Sequence, residues 1–147
     1  MVRLNDIWNV LRAPMRGKLL ILEAVWQLAR ARFDTTRPAS HYTRFFGTLH
    51  GEATVPTPEQ EALAADIGGL VARVARGMPF EARCLQQVLA VRRMLDRRGV
   101  PAVVYLGLDR TAMKAEDRIA HAWVKSGQRV VNGDIALERY AVVGVFS

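Results

Sequence analysis

The stretch RCLQQVLAVRRMLDRRGVPAVVYLGL, from Arg83 to Leu108, constrains this chain most, because it spells a helix, a stop signal and a strand in succession. Cys84, Val88, Val91 and Leu95 recur at i, i+4, i+7 and i+11, with Leu85 and Leu89 beside them, which predicts a helix burying that stripe. Gln86, Arg93 and Arg97 then fall to its outer face. Gly99 suits the position just past a helix end and Pro101 prevents continuation. AVVYLGL, rich in β-branched and aromatic residues, predicts a strand. The chain before this stretch reads as helical and the chain after it as sheet. The expected class is therefore α+β: amino-terminal helices, then a helix packed on a small antiparallel sheet, with the sole cysteine, Cys84, at the junction.

Residues 4–12 predict a short helix ending near Pro14. From Met15 to Phe33 the spacing of Leu19, Leu22, Val25, Trp26 and Ala29 predicts an amphipathic helix with Trp26 in the core and Arg16, Lys18, Gln27 and Arg30 outside. DTTRPAS is a break, and HYTRFF a further helical turn. GTLHGEATVPTPEQ reads as a surface loop. Thr57, Pro58 and Gln60 supply N-cap, first helical residue and capping-box partner for a helix from Pro58 to about Arg76. That helix is expected to bury Ala62, Leu63, Ile67, Leu70, Val71 and Val74, and to stop at Gly77 and Pro79. After the polar connection DRTAMKAED, the segments IAHAWV and RVVNGD form a hairpin around Ser126-Gly127.

With 147 residues, half of them hydrophobic, the chain is most simply one domain, residues 1–77 forming a helical part and residues 78–147 a helix-and-sheet part. A single cysteine excludes an intramolecular disulfide framework and a Cys-rich metal centre. The run LLILEAVWQLA is interrupted by Glu23 and too short to cross a bilayer, and no secretory signal is evident, so a cytoplasmic protein is expected. The net charge of +7 invites a nucleic-acid reading. The arginines are scattered over predicted helices, however, and no nucleic-acid motif is visible. Neither nucleic acid nor a membrane is an expected partner. The three histidines, with His41 and His50 taken as surface residues, have no metal-ligand spacing, so neither a metal nor another cofactor is expected.

The hairpin carries the chemistry. If Lys125 lies opposite Gln128, His121 lies opposite Asn132, and Asp134 is two residues further along the same face, within diagonal reach of an imidazole. Trp123 shares the face of His121. A thiol becomes a good nucleophile once ionised, which a helix N-terminus and a neighbouring imidazolium both favour. An imidazole base is held in one tautomer by an acceptor such as a carboxylate. The same residues have plainer readings. A cysteine heading an apolar stripe packs like any small hydrophobe, a histidine between alanines sits satisfied in a core, and an aspartate after Asn-Gly belongs to a turn. Spacing alone leaves both sets of readings open.

The order of a CL pair on a helix, RRGVPA, a strand ending in glycine, and AHAWVKSGQRVVNGD resembles the transglutaminase-like branch of papain-type cysteine enzymes. More closely it resembles the lasso peptide biosynthesis B2 proteins, the leader peptidases of that maturation. The resemblance spans Cys84 to Asp134, while the amino-terminal helices match in general character. It implies a papain/transglutaminase-like core with Cys84 as nucleophile, His121 as general base and later acid, and Asp134 as the group orienting the histidine. Trp123 is expected to wall the substrate site. The implied reaction is removal of the leader from a lasso peptide precursor, and the implied partners are the precursor leader, a separate leader-recognition protein of the B1 type and the lasso cyclase. A standalone B2 form is expected. A non-catalytic scaffold that gathers precursor, recognition protein and cyclase is the alternative.

Overall fold

The computed structural model of the chain describes residues 14–111, 120–133 and 136–147. The expected helix over residues 4–12, most of the DRTAMKAED connection and Asp134 lie outside the described residues.

Helix α1 spans Met15–Asp34, α2 Ala39–Thr43, α3 Pro58–Gly77 and α4 Cys84–Asp96. Strands β1 (Val103–Asp109), β2 (Ala120–Ser126), β3 (Arg129–Asn132) and β4 (Tyr140–Phe146) form one antiparallel sheet in the order β3-β2-β1-β4. The α+β architecture is as the sequence predicts. The α3 start is also as expected: Thr57 Oγ1 accepts from Gln60 N–H at 3.2 Å and Gln60 Oε1 from Thr57 N–H at 2.9 Å. Helix α4 closes through Gly99 in the left-handed region (φ +63), which lets the Val100 N–H reach back to the Leu95 carbonyl.

The core lies between the three long helices and one face of the sheet. Leu28, Ile67, Val71, Val88, Leu89, Val91 and Leu95 meet Val104, Ala122, Val124 and Val131 there. Alternation along a strand fixes the consequence. With Ala122 and Val124 turned to the helices, His121 and Trp123 occupy the opposite face.

Several expected faces are corrected. Helix α1 turns Ala24, Leu28 and Ala31 inward and leaves Leu19, Leu22 and Trp26 more than half exposed, so Trp26 is not a core residue. The small alanines allow close approach to α3 and α4, which the larger side chains on the other face do not. Gln27, assigned outward, is buried. In α3 the inward set is Ala64, Ile67, Gly68, Val71 and Ala75, whereas Ala62 and Leu63 are exposed. There Gly68 crosses β3 so closely that a Cβ would stand 1.8 Å from the Val131 carbonyl oxygen. In α4, Gln86 and Arg93 are buried rather than outward, each holding a polar partner from the end of α1: Gln86 donates to Thr35 Oγ1 at 3.0 Å and Arg93 to Asp34 at 2.6 Å. His41 is likewise drawn in, its Nε2 lying 3.3 Å from Asp34 Oδ1.

Candidate active site

Cys84 is the first residue of α4 and is half-buried against the core. Two glutamines fix its turn. Gln86 Oε1 accepts from the Arg83 N–H at 2.7 Å. Gln87 donates to the Ala82 carbonyl at 2.8 Å and accepts from Asn132 Nδ2 at 3.3 Å, so the start of α4 is tied to the end of β3. The first turn of α4 contains no acidic residue. Its leading N–H groups have no intrahelical partner and carry the positive end of the helix dipole.

His121 is buried on β2, its ring 4.8 Å from Tyr140 and 5.9 Å from Trp123 by centroids, both near-parallel. Trp123 stacks in turn on Tyr105 at 5.5 Å. Gly107 stands opposite His121 on β1. A Cβ there would lie 2.9 Å from both Trp123 Cζ3 and Tyr140 Cβ, so its bare backbone makes the slot in which the rings stack. His121 Nε2 lies 2.8 Å from the Gly133 carbonyl oxygen. A carbonyl only accepts, so Nε2 carries a proton, and in the neutral ring Nδ1 is the nitrogen that keeps its lone pair.

The hairpin register differs from the expected one. Ser126 pairs with Arg129 across a two-residue Gly127-Gln128 turn, and an irregularity after Lys125↔Val130 brings Asn132 opposite Val124 rather than His121. The extra residue, Val131, and Asn132 are both buried. Asn132 reaches Gln87 and the Gly68 carbonyl on the helix side. Asp134 follows Gly133 in sequence and lies outside the described residues.

Cys84 thus stands on the helix side of the sheet and His121 on the other. Among the described residues, no hydrogen bond joins them. They approach the same corner by separate routes, Cys84 through Gln87 to Asn132 and His121 directly to Gly133. Sequence reasoning did not single out Gly107, Gly133, Tyr140 or Asp109. Asp109 closes the open end of β1, accepting from Thr111 at 2.7 Å and Arg139 at 2.7 Å. Those bonds hold its carboxyl below the usual range, the Thr111 hydroxyl being the largest cause. The glycine signals were present, Gly107 interrupting an apolar strand and Gly133 following an asparagine.

A cavity of about 330 Å³ lies elsewhere, between the end of α4 and Ser147, lined by Arg92, Asp96 and Pro101 among others. No group of metal-ligating side chains is assembled among the described residues, and no helix among them is long and apolar enough to cross a membrane. No curated protein and no solved structure matches the chain. A family model described as the transglutaminase-like superfamily matches residues 26–145.

Proposed function

The chain belongs to the transglutaminase-like superfamily, and on that footing we propose that it is a cysteine peptidase acting through Cys84, His121 and Asp134. The finer reading is removal of the leader from a lasso peptide precursor, with a separate leader-recognition protein of the B1 type presenting the substrate and the lasso cyclase taking the product. The observation that carries the peptidase reading is the 2.8 Å contact of His121 Nε2 with the Gly133 carbonyl oxygen. Nε2–H is spent on the Gly133 carbonyl, which leaves Nδ1 as a base.

Nδ1 takes the proton of the Cys84 thiol as sulfur attacks the scissile carbonyl carbon. Charge gathers on the carbonyl oxygen, and the free N–H groups of the first α4 turn are suited to bind it. Collapse breaks the C–N bond, and the imidazolium returns its proton to the departing amine, the new amino terminus of the core peptide. Water, deprotonated by the same nitrogen, then cleaves the thioester and releases the leader as a free acid. Asp134, next to the residue that already holds His121, is assigned to steady the imidazolium. The proposed chemistry requires Cys84 and His121, which no hydrogen bond joins among the described residues, to be brought together when substrate binds, with the His121–Gly133 contact kept.

The test is to incubate the chain with precursor and recognition protein and weigh the products. Peptidase action yields leader and core summing to the precursor plus one water; a leader joined to an added amine marks acyl transfer instead. The placement of Cys84 and His121 on opposite sides of the sheet favours a second reading, a non-catalytic scaffold for precursor, recognition protein and cyclase. Slow alkylation of the single thiol at neutral pH, unchanged by His121→Ala, decides for the scaffold.

A further inference from the structure

Helix α1 has two apolar faces, and only one of them meets the core. Met15, Leu19, Leu22, Trp26, Ala29 and Phe33 follow one another at intervals of 4, 3, 4, 3 and 4 residues, an a/d seam turned away from Ala24, Leu28 and Ala31. Met15 is 73 % exposed, Leu22 64 % and Trp26 64 %. The seam is about 27 Å long at 1.5 Å per residue. A helix apolar on both faces is normally covered on both, and an exposed strip of this kind marks an interaction surface.

We infer that this seam seats an amphipathic helix with acidic flanks, supplied by another protein. The 3–4 spacing is the narrow pattern that receives a partner helix; a helix lying in a lipid surface presents a broader apolar face. The flanking charges select the partner. Arg16 and Arg30 border one side, Lys18 and Arg32 the other, and Arg37 lies over the Phe33 ring at 4.8 Å. The two acids of the helix are already engaged, Glu23 by Arg98 at 2.6 Å and the buried Asp34 by Arg93 at 2.6 Å and Arg30 at 3.9 Å. A second copy of the chain brings the same basic borders against these, on top of a net charge of +7, and is disfavoured by repulsion. The chain's own residues 4–12 also carry apolar positions at helical spacing. Nine residues at 1.5 Å each span about 14 Å, however, half the length of the seam. This inference is independent of the peptidase reading, since the seam includes none of the residues assigned to it.

The experiment uses the full chain and a fluorescein-labelled three-heptad peptide with leucine at a and d and glutamate at the flanking positions. A twin peptide carries lysine at those flanks. Anisotropy should show saturable binding of the glutamate peptide, weakened by added salt, with the lysine twin at least about tenfold weaker. Trp26→Glu should weaken binding about 30-fold with an unchanged circular dichroism spectrum. Leu22→Glu serves as a second variant should Trp26→Glu disturb the fold. The inference is overturned by absent binding or by equal binding of the two peptides. Binding seen only after Ile7→Glu with Leu11→Glu gives the seam to the chain's own leading segment, and also overturns it. A wild-type dimer dissolved by Trp26→Glu gives the seam to a second copy, and Trp26-dependent binding to phosphatidylglycerol vesicles tighter than to the peptide gives it to a membrane; each overturns it likewise.

Discussion

His121 Nε2 donates a 2.8 Å hydrogen bond to the carbonyl oxygen of Gly133, a residue whose place only glycine can fill without strain. Gly133 has φ +83, and a Cβ there would stand 2.6 Å from the Ala122 carbonyl oxygen and 2.8 Å from Trp123 Cβ. Gly133→Ala should cost about 2 kcal/mol or more, the left-handed penalty and the backbone clash acting together. Leader release should fall beyond what the lost stability explains, because the imidazole loses its anchor. Urea midpoints and product formation measured on the same sample check this; an unchanged midpoint contradicts it.

Asp34 and Arg93, nine-tenths buried, join the end of α1 to the middle of α4 at 2.6 Å. Asp34→Ala leaves the guanidinium without its counter-charge and should cost about 3–5 kcal/mol. Burial alone raises the Asp34 carboxyl, but the Arg93 hydrogen bond and charge outweigh it and hold it below its ordinary 3.8. Glu23 is held below 4.5, chiefly by its hydrogen bond to Arg98. Carboxyls depressed on folding stabilise fully above their ordinary values, and that contribution is lost as pH falls through the depressed ones. Denaturation midpoints should hold steady down to about pH 5 and then drop, less steeply in Asp34→Ala. A wild-type midpoint flat into strong acid contradicts the assignment.

Trp123 is 5 % exposed and sits between Tyr105 and His121. It is therefore a wall for the imidazole, positioning it, more than a surface offered to substrate. Trp123→Ala should lower kcat by about ten- to a hundredfold and leave KM nearly unchanged, with Trp123→Phe recovering most of the loss. A rise in KM alone would assign Trp123 to substrate contact.

What was legible in the sequence was local. The cap of α3, the start of α4 at Cys84 and its end at Gly99, the β1 strand and the shared face of His121 and Trp123 follow from signals within a few residues. What failed was partnership across the chain. Leu22 and Trp26 are as apolar as any core residue, and only the close approach of α3 and α4 to Ala24 and Ala31 decides which face of α1 turns in. Gln86 and Arg93 read as surface residues because Thr35 and Asp34, which satisfy them, lie more than fifty positions away. The turn closes at Ser126↔Arg129 rather than Lys125↔Gln128, and the extra residue Val131 carries Asn132 one place further, to Val124; no turn signal announces such a bulge. The relation of Cys84 to His121 is tertiary in the same sense. Spacing marks each of them, and the sheet between them is visible only in the fold.

The most direct measurement replaces Cys84 with alanine and follows leader release from the precursor with the recognition protein present. Alanine suits the first turn of α4, so the circular dichroism spectrum should not change. The account predicts a fall in rate of at least about a thousandfold. Release at the wild-type rate by Cys84→Ala contradicts it outright.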